Sequence, residues 1–153
     1  MPHIHDKIDF TVEVCVVYQN KILLRKHDKY KIWLTIGGHI EPNEDPLEAA
    51  LREVKEEVGL SVTIANDLLR FRIDEPQYKE LIPPKFLNRH RINETHEHIS
   101  LTYFARASTD IVRPEKEDDV WKWFTKEDLL ENKEGIEERV LTYAKQALAE
   151  LGS

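Results

Sequence analysis

The stretch of residues 38–60, GHIEPNEDPLEAALREVKEEVGL, decides the fold of this chain. Its second half has apolar residues at helical spacing, which predicts a helix from Asp45-Pro46 to Val58. Asp45 is a residue type that caps helix N-termini, and Pro46 suits the first turn, where its missing N–H leaves no hydrogen bond unmade. Gly59 is expected to end the helix, since glycine readily adopts the left-handed conformation found there.

The predicted helix has two distinct faces. The apolar stripe, expected to face a β-sheet, consists of Leu47, Leu51, Val54 and Val58. A second face carries three carboxylates one turn apart: Glu53, Glu56 and Glu57. Such carboxylates repel one another, and a hard divalent cation, which prefers oxygen ligands and phosphate, would remove the repulsion. Arg52 can pair with Glu56 at i+4. A solvated, glutamate-rich helix face is the alternative interpretation.

The wider spacing resembles the signature of the Nudix hydrolase family, G-x5-E-x7-R-E-U-x-E-E-x-G-U, in which U is aliphatic. The matching residues are Gly38, Glu44, Arg52, Glu53, Val54, Glu56, Glu57, Gly59 and Leu60. Two positions depart from the commonest form: Ile36 stands where proline often precedes the glycine pair, and Asn43 replaces a frequent glycine. Asparagine tolerates left-handed backbone conformations, so the signature remains complete.

The resemblance implies an α/β Nudix fold, with a mixed β-sheet sandwiched between α-helices, and a single Nudix hydrolase domain over residues 1–153. It implies a metal-dependent hydrolase that cleaves a diphosphate (pyrophosphate) linkage in a nucleoside diphosphate derivative by attack of a metal-activated water. Mg²⁺ or Mn²⁺ would be held by Gly38, Glu53, Glu56 and Glu57. A homodimer is common in the family. The alternative is a Nudix-fold nucleotide sensor without hydrolysis, and the complete signature favours the enzyme.

The resemblance leaves the general base open between Glu53 and a glutamate of a later loop. In this chain that loop offers Glu115, Glu117 and Asp118, of which Glu117 is favoured by its distance from Trp123. The alternative interpretation of this segment is a solvated acidic loop. The predicted catalytic residues are Arg52, Glu53, Glu57 and Glu117.

Composition limits the partners. The net charge is −7, with 41% hydrophobic and 33% charged residues, which is typical of a globular protein and unlike a binder of nucleic acid polymers. No apolar run approaches the roughly 20 residues that cross a membrane. The lone Cys15 excludes an intrachain disulfide and fits the cytoplasm. Because Cys15 stands in an apolar run, it is predicted to fill the core rather than to act as a nucleophile.

The remaining pattern predicts a β-rich chain that ends in a helix. Strands are expected over residues 10–18, 21–25, 33–36, 61–73, 98–107 and 120–125, with a stop at the glycine pair 37–38 and a long loop over 74–95. A capping box at Thr125 opens a short helix. Residues 135–151 predict an amphipathic helix with Ile136, Val140, Tyr143 or Ala144, and Leu148 on its inner side.

The loop over residues 74–95 mixes aromatic and basic side chains, which suits stacking on a base while attracting a phosphate. The predicted substrate-binding residues are Trp33, Tyr78, Phe86 and Arg89. A solvated surface insertion is the alternative for the loop, and a core position for Trp33. His96 and His98 would share one side of a strand and could bind a transition metal, although no third ligand is evident in the sequence. A polar strand end is the alternative, and His3 and His5 form a similar pair.

Overall fold

The computed structural model describes residues 6–153, so His3 and His5 lie outside the described residues. The strands are β1 (Ile8–Tyr18), β2 (Lys21–Lys26), β3 (Trp33–Leu34), β4 (Ile36–His39), β5 (Val62–Ile64), β6 (Asp74–Glu75), β7 (Tyr78–Lys79), β8 (Phe86–Arg91), β9 (Glu97–Ala107) and β10 (Trp121–Thr125). The helices are α1 (Pro46–Val58), α2 (Lys126–Glu131) and α3 (Glu138–Leu151).

The main sheet is built around β1 and β9, which run parallel. The strand order is β10-β2-β1-β9-β5, and in addition β3 pairs with β2, β4 with β1 and β8 with β9. Every one of these pairs except β1–β9 is antiparallel. Strands β6 and β7 form a separate hairpin. The sheet is therefore mixed, as predicted.

Successive side chains of β1 point to opposite faces of the sheet. Val12, Val14 and Val16 belong to the core cluster that includes α1. Cys15 and Val17 belong to the cluster that includes α3. The predicted arrangement of a sheet between helices is thus confirmed.

Helix α1 begins and ends as predicted. The Asp45 side chain accepts a hydrogen bond from the Glu48 backbone N–H, and the Glu48 side chain accepts one from Asp45, which completes a capping box. Pro46 opens the first turn. Gly59 ends the helix in the left-handed region, with φ of 69°.

The predicted apolar stripe of α1 is wrong at one position. Leu51 is 43% exposed, whereas Ala49 and Ala50 are fully buried. The remaining members pack on the sheet as predicted: Leu47, Val54 and Val58. Alanines at the centre of the inner face bring the helix backbone close to the sheet, and Leu51 is left at the border of that face.

The sequence predicted that the glycine pair ends a strand, and this prediction is wrong. Strand β4 runs through both glycines, with Gly37 opposite Glu13 and Gly38 opposite Val12 of β1. A Cβ on Gly37 would collide with the Val12 carbonyl oxygen. The glycines therefore permit a close approach of two backbones.

Two other segments differ from the prediction. The strand expected over residues 61–73 ends at Ile64, because a turn closed by the Leu69 N–H and the Asn66 carbonyl follows it. The segment 74–95, predicted to be a loop, contains β6, β7 and β8. In β8 the more buried residues are Phe86, Asn88 and His90, and Leu87 is 66% exposed, so two polar side chains take inward positions and an apolar one faces solvent.

The C-terminal elements agree with the sequence. Thr125 and Asp128 form the predicted capping box of α2. The last helix begins at Glu138 rather than at residue 135, so Ile136 is buried but precedes it. The other predicted inner residues are buried in α3: Val140, Ala144 and Leu148. Cys15 is fully buried, and burial raises the pKa of its thiol, as expected of core filler. Within residues 6–153, α1, α2 and α3 all lack the length and apolar composition of a membrane-crossing helix.

Gly59→Ala should destabilise the fold more than Gly135→Ala. Both glycines have positive φ, 69° and 70°, so each alanine carries a conformational cost of about 1–2 kcal/mol. At Gly59 the added Cβ would also lie 2.8 Å from the Arg113 Cβ, whereas nothing lies within 4 Å at Gly135. Urea unfolding of both variants measures the difference. Equal losses in the free energy of unfolding would show that Arg113 does not press on Gly59.

Candidate functional site

Arg52 is the hub of the site. Its Nε and Nη2 donate to the two carboxylate oxygens of Glu44, at 3.0 and 2.6 Å. Its Nη1 donates to Glu53 at 2.9 Å and to Glu56 at 3.1 Å, and Nη2 also donates to the His39 carbonyl at 3.0 Å. The predicted pairing with Glu56 is therefore present. One guanidinium joins α1, the preceding loop and the end of β4.

Glu44 stiffens the loop before α1. Besides accepting both bonds from Arg52, its carboxylate accepts a hydrogen bond from the Glu41 backbone N–H at 2.9 Å. The bond from Arg52 holds the pKa of Glu44 below its usual range, so Glu44 stays ionised. The ionised Glu44 carboxylate thereby holds the Arg52 guanidinium in one position against the loop.

Glu53 is buried beside the second glycine. Its exposure is 7%, and a Cβ on Gly38 would overlap its carboxylate. Burial raises the pKa of Glu53, and the charge of Glu56 adds to this, while Arg52 opposes it. Gly38 is therefore required to leave room for the Glu53 carboxylate against β4.

Glu57 has the most perturbed carboxylate of the cluster. Burial, followed by the charge of Glu53, raises its pKa to about 8. A hydrogen bond from the Gly37 backbone N–H and the positive charge of Arg25 oppose this shift. Glu56, in contrast, is exposed, with 54% of its side chain accessible. The exposure of the three predicted glutamates thus increases from Glu53, which is buried near the sheet, through Glu57 to Glu56, which faces solvent.

This donor set fits a divalent cation. Glu53 and Glu57 are two partly desolvated carboxylates whose negative charges raise each other's energy. Hard cations such as Mg²⁺ prefer carboxylate oxygens and leave positions for water and phosphate. Glu53, Glu56 and Glu57 would hold the ion, and the predicted ligand set of Gly38, Glu53, Glu56 and Glu57 stays a prediction.

The acidic loop after β9 approaches the C-terminal end of α1. The Arg113 N–H donates to the Val58 carbonyl at 2.9 Å, and the Glu115 N–H donates to the Glu57 carbonyl at 3.1 Å. The charge of Glu115 also raises the pKa of Glu57. Glu117 lies further along the loop and is exposed. Glu115 is thus the loop carboxylate that the fold brings to the cluster, and the catalytic role of Glu117 stays a prediction.

A cleft of about 460 Å³ opens beside the glycine pair. It lies over the sheet face that α3 also covers. Its walls combine two carboxylates, Glu13 and Glu137, with basic, aromatic and imidazole side chains, among them His27, Tyr30, His39, Arg91, His98 and Arg139. The His27 and Tyr30 rings stack with centroids 5.0 Å apart, and Tyr30 is 54% exposed. The cleft can receive a flat ring and a negatively charged group.

The predicted substrate-binding residues do not line this cleft. Trp33 is buried, 6% exposed, with its ring edge against Phe124. Phe86 stacks on Tyr143 at 4.4 Å. Neither aromatic ring is therefore presented at the cleft surface.

The other two predicted residues are engaged elsewhere. Arg89 is paired with Glu97 at 2.6 Å, and Tyr78 donates to Glu80 at 2.8 Å on the β6–β7 hairpin. The cleft residues Tyr30 and Arg139 carried no signal in the sequence, because only the tertiary fold brings a polar turn and the start of α3 to the same opening.

Comparison with known proteins agrees with this geometry. The model of the NUDIX domain matches residues 10–144. An RNA pyrophosphohydrolase of Roseobacter denitrificans is 30% identical over 114 residues, which cover 71% of this chain and 69% of that protein. An m7GpppN-mRNA hydrolase of Xenopus laevis is 33% identical over 104 residues, or 59% of this chain and 35% of that protein.

Solved structures show the same fold. A NUDIX family hydrolase from Clostridium perfringens superposes with a TM-score of 0.80 at 37% identity, over 94% of this chain and 97% of that one. A C. elegans Ap4A hydrolase shares the fold alone, with a TM-score of 0.61, 19% identity and 93% of each chain covered. With its signature residues assembled around Arg52, the chain belongs to the Nudix family and is a Nudix hydrolase acting on pyrophosphate bonds of nucleotide derivatives.

Proposed function

We propose that the protein is a Mg²⁺- or Mn²⁺-dependent enzyme that cleaves the diphosphate linkage of a small nucleoside diphosphate derivative. The observation that carries this proposal is the complete carboxylate cluster, in which Arg52 holds Glu53 and Glu56, and Glu53 and Glu57 are partly desolvated. We propose further that residues 1–153 act as one domain in the cytoplasm, as the lone buried Cys15 suits.

Each residue has a distinct role in this proposal. Glu53, Glu56 and Glu57 hold the cation; Arg52, braced by Glu44, keeps Glu53 and Glu56 in place, and the Gly37 backbone N–H donates to Glu57. The cation supplies the positive charge that activates water and neutralises phosphoryl oxygens. A carboxylate then accepts the proton of the attacking water. The candidates for this base are Glu53 and the loop residues Glu115 and Glu117.

We propose that the cleft beside the glycine pair receives the nucleotide. Tyr30 offers an exposed ring for stacking on a base, and Arg139 is a half-buried cation that attracts phosphate. By their names, the relatives in Roseobacter denitrificans and Xenopus laevis act on RNA, and the C. elegans protein acts on Ap4A. With a net charge of −7, the chain favours a small nucleotide over a long polymer.

The decisive experiment separates and quantifies the products of a substrate panel, phosphomonoesters and pyrophosphate included, with Mg²⁺, with Mn²⁺ and with EDTA. The panel holds nucleoside triphosphates, nucleotide sugars, ADP-ribose, dinucleoside polyphosphates, and 5′-triphosphorylated and capped RNA. Metal-dependent cleavage of one class far above the others supports the proposal and identifies the substrate. Absence of cleavage together with tight calorimetric binding of one nucleotide would instead support a sensor.

Glu53→Gln should lower kcat on the order of 10²–10⁴-fold while the fold persists, because it removes a carboxylate that holds the ion or accepts a proton. Parallel assays of Glu115→Gln and Glu117→Gln identify the base, since only the variant that lacks it loses the acidic limb of the pH–rate profile, where the base becomes protonated, as well as kcat. Glu127→Gln on α2 is the matched control outside the site. Wild-type turnover by Glu53→Gln would contradict the proposed role of this carboxylate.

Arg52→Lys should weaken the metal response. Lysine keeps the charge but not the two-pronged bond to Glu44, and loss of a group that orients metal ligands typically costs about 10–100-fold in metal affinity. The Mg²⁺ concentration for half-maximal activity is the readout, with thermal unfolding as the stability control. An unchanged Mg²⁺ dependence would show that the two hydrogen bonds from Arg52 to Glu44 do not position the metal ligands.

Arg139→Gln should raise KM about 10- to 100-fold with little change in kcat, because a charged hydrogen bond to phosphate contributes about 1.5–3 kcal/mol. Lys145→Gln, an exposed cation on the same helix, is the control. Steady-state kinetics with the best substrate of the panel separates the two parameters. An unchanged KM would place the phosphate away from the start of α3.

A further inference from the structure

A second cluster of ligand-type side chains lies on the sheet, apart from the glutamates of α1. The parallel pairing of β1 and β9 sets Asp9 opposite His98. The antiparallel pairing of β1 and β4 sets His39 opposite Thr11, two residues after Asp9. Because side chains two apart share a face, Asp9, His39 and His98 converge on the same side of the sheet.

The atoms of this cluster are close together. One ligand atom from each of Asp9, His39 and His98 lies within 4.8 Å of the others. Asp9 Oδ2 lies 3.4 Å from His39 Nε2 and 3.2 Å from His96 Nε2. The His96 and His98 rings meet edge to face at 5.1 Å. Asp9 and His39 are thus the further candidate ligands beside His96 and His98, which the sequence alone did not reveal.

The cluster is buried but reachable. The side chain of Asp9 is 2% exposed, and His98 Nε2 is buried without a hydrogen-bond partner among residues 6–153. Asp9 and His39 border one cavity of about 340 Å³, and His39 and His98 border the cleft. An ion could enter from either side.

The donor types select the ion. Two or more imidazoles with one carboxylate suit Zn²⁺ and similar transition metals, whereas Mg²⁺ prefers an all-oxygen shell. Tetrahedral Zn²⁺ with bonds of about 2.1 Å places ligand atoms about 3.4 Å apart. The contacts of Asp9 with His39 and His96 already have this spacing. The ligand atom of His98 lies within 4.8 Å of those of Asp9 and His39.

We propose that Asp9, His39 and His98 bind a transition-metal ion such as Zn²⁺, with His96 as the nearest fourth ligand. The ion joins the starts of β1 and β9 to the end of β4 at the mouth of the cleft. It is separate from the cation of the α1 glutamates. A hydrogen-bonded Asp–His network without metal is the competing explanation of the cluster.

Equilibrium dialysis of the full chain against Zn²⁺ in excess Mg²⁺ tests the proposal. One tightly bound Zn²⁺ per chain is expected, and Asp9→Asn and His98→Gln should each lose it. Two variants are controls: Glu57→Gln, which disturbs the glutamate cluster, and His27→Gln, which removes a cleft histidine outside the cluster. Both should retain the ion. Loss of Zn²⁺ only in Glu57→Gln, or no bound Zn²⁺ in the wild type, overturns the proposal.

X-ray absorption of the Zn²⁺-loaded wild-type protein gives a second measurement that does not depend on the folding of any variant. Imidazole ligands with bonds of about 2.0–2.1 Å are expected. A shell of oxygens alone would assign the ion to the glutamates and overturn the proposal. A double variant, His3→Gln with His5→Gln, should still bind Zn²⁺, and loss of binding there would move the site to the N-terminal segment.

Discussion

The two-pronged bond between Arg52 and Glu44 is the interaction on which the rest of the site depends. It fixes the loop before α1 to the helix, and the same guanidinium reaches Glu53, Glu56 and the His39 carbonyl. Such a planar fork constrains distance and direction together. Arg52 therefore supplies the positive charge that reduces the repulsion between neighbouring carboxylates, and its planar geometry orients them.

The site is obtained at a local cost to stability. Burial raises the pKa of both Glu53 and Glu57. Gly37 and Gly38 have no side chains, which lets β4 approach β1 and the Glu53 carboxylate but leaves less packing there. Breaches of ordinary packing rules of this kind cluster at functional sites. Here the cores on both sides of the sheet compensate, since β1 is buried against α1 and α3.

Local signals in the sequence predicted α1, its caps and the glutamate cluster, because capping and helical spacing act over only a few residues. They missed β8, since its inward residues Asn88 and His90 are polar, and they misplaced Leu51 because alanines form the centre of the helix face. The cleft and the Asp9–His98 pairing depend on strand register between distant segments. No local pattern encodes that register.

The parallel pairing of β1 with β9 has a consequence for how the protein comes into being. Thr11 meets Ser100 in the central pair, a separation of 89 residues. Loops of that length close slowly, and contacts between distant segments delay folding. During synthesis β1 can pair with β2 and β4 as soon as these strands are made, but its other edge stays unpaired until β9 has left the ribosome. This interval is the one in which the nascent chain most needs a chaperone.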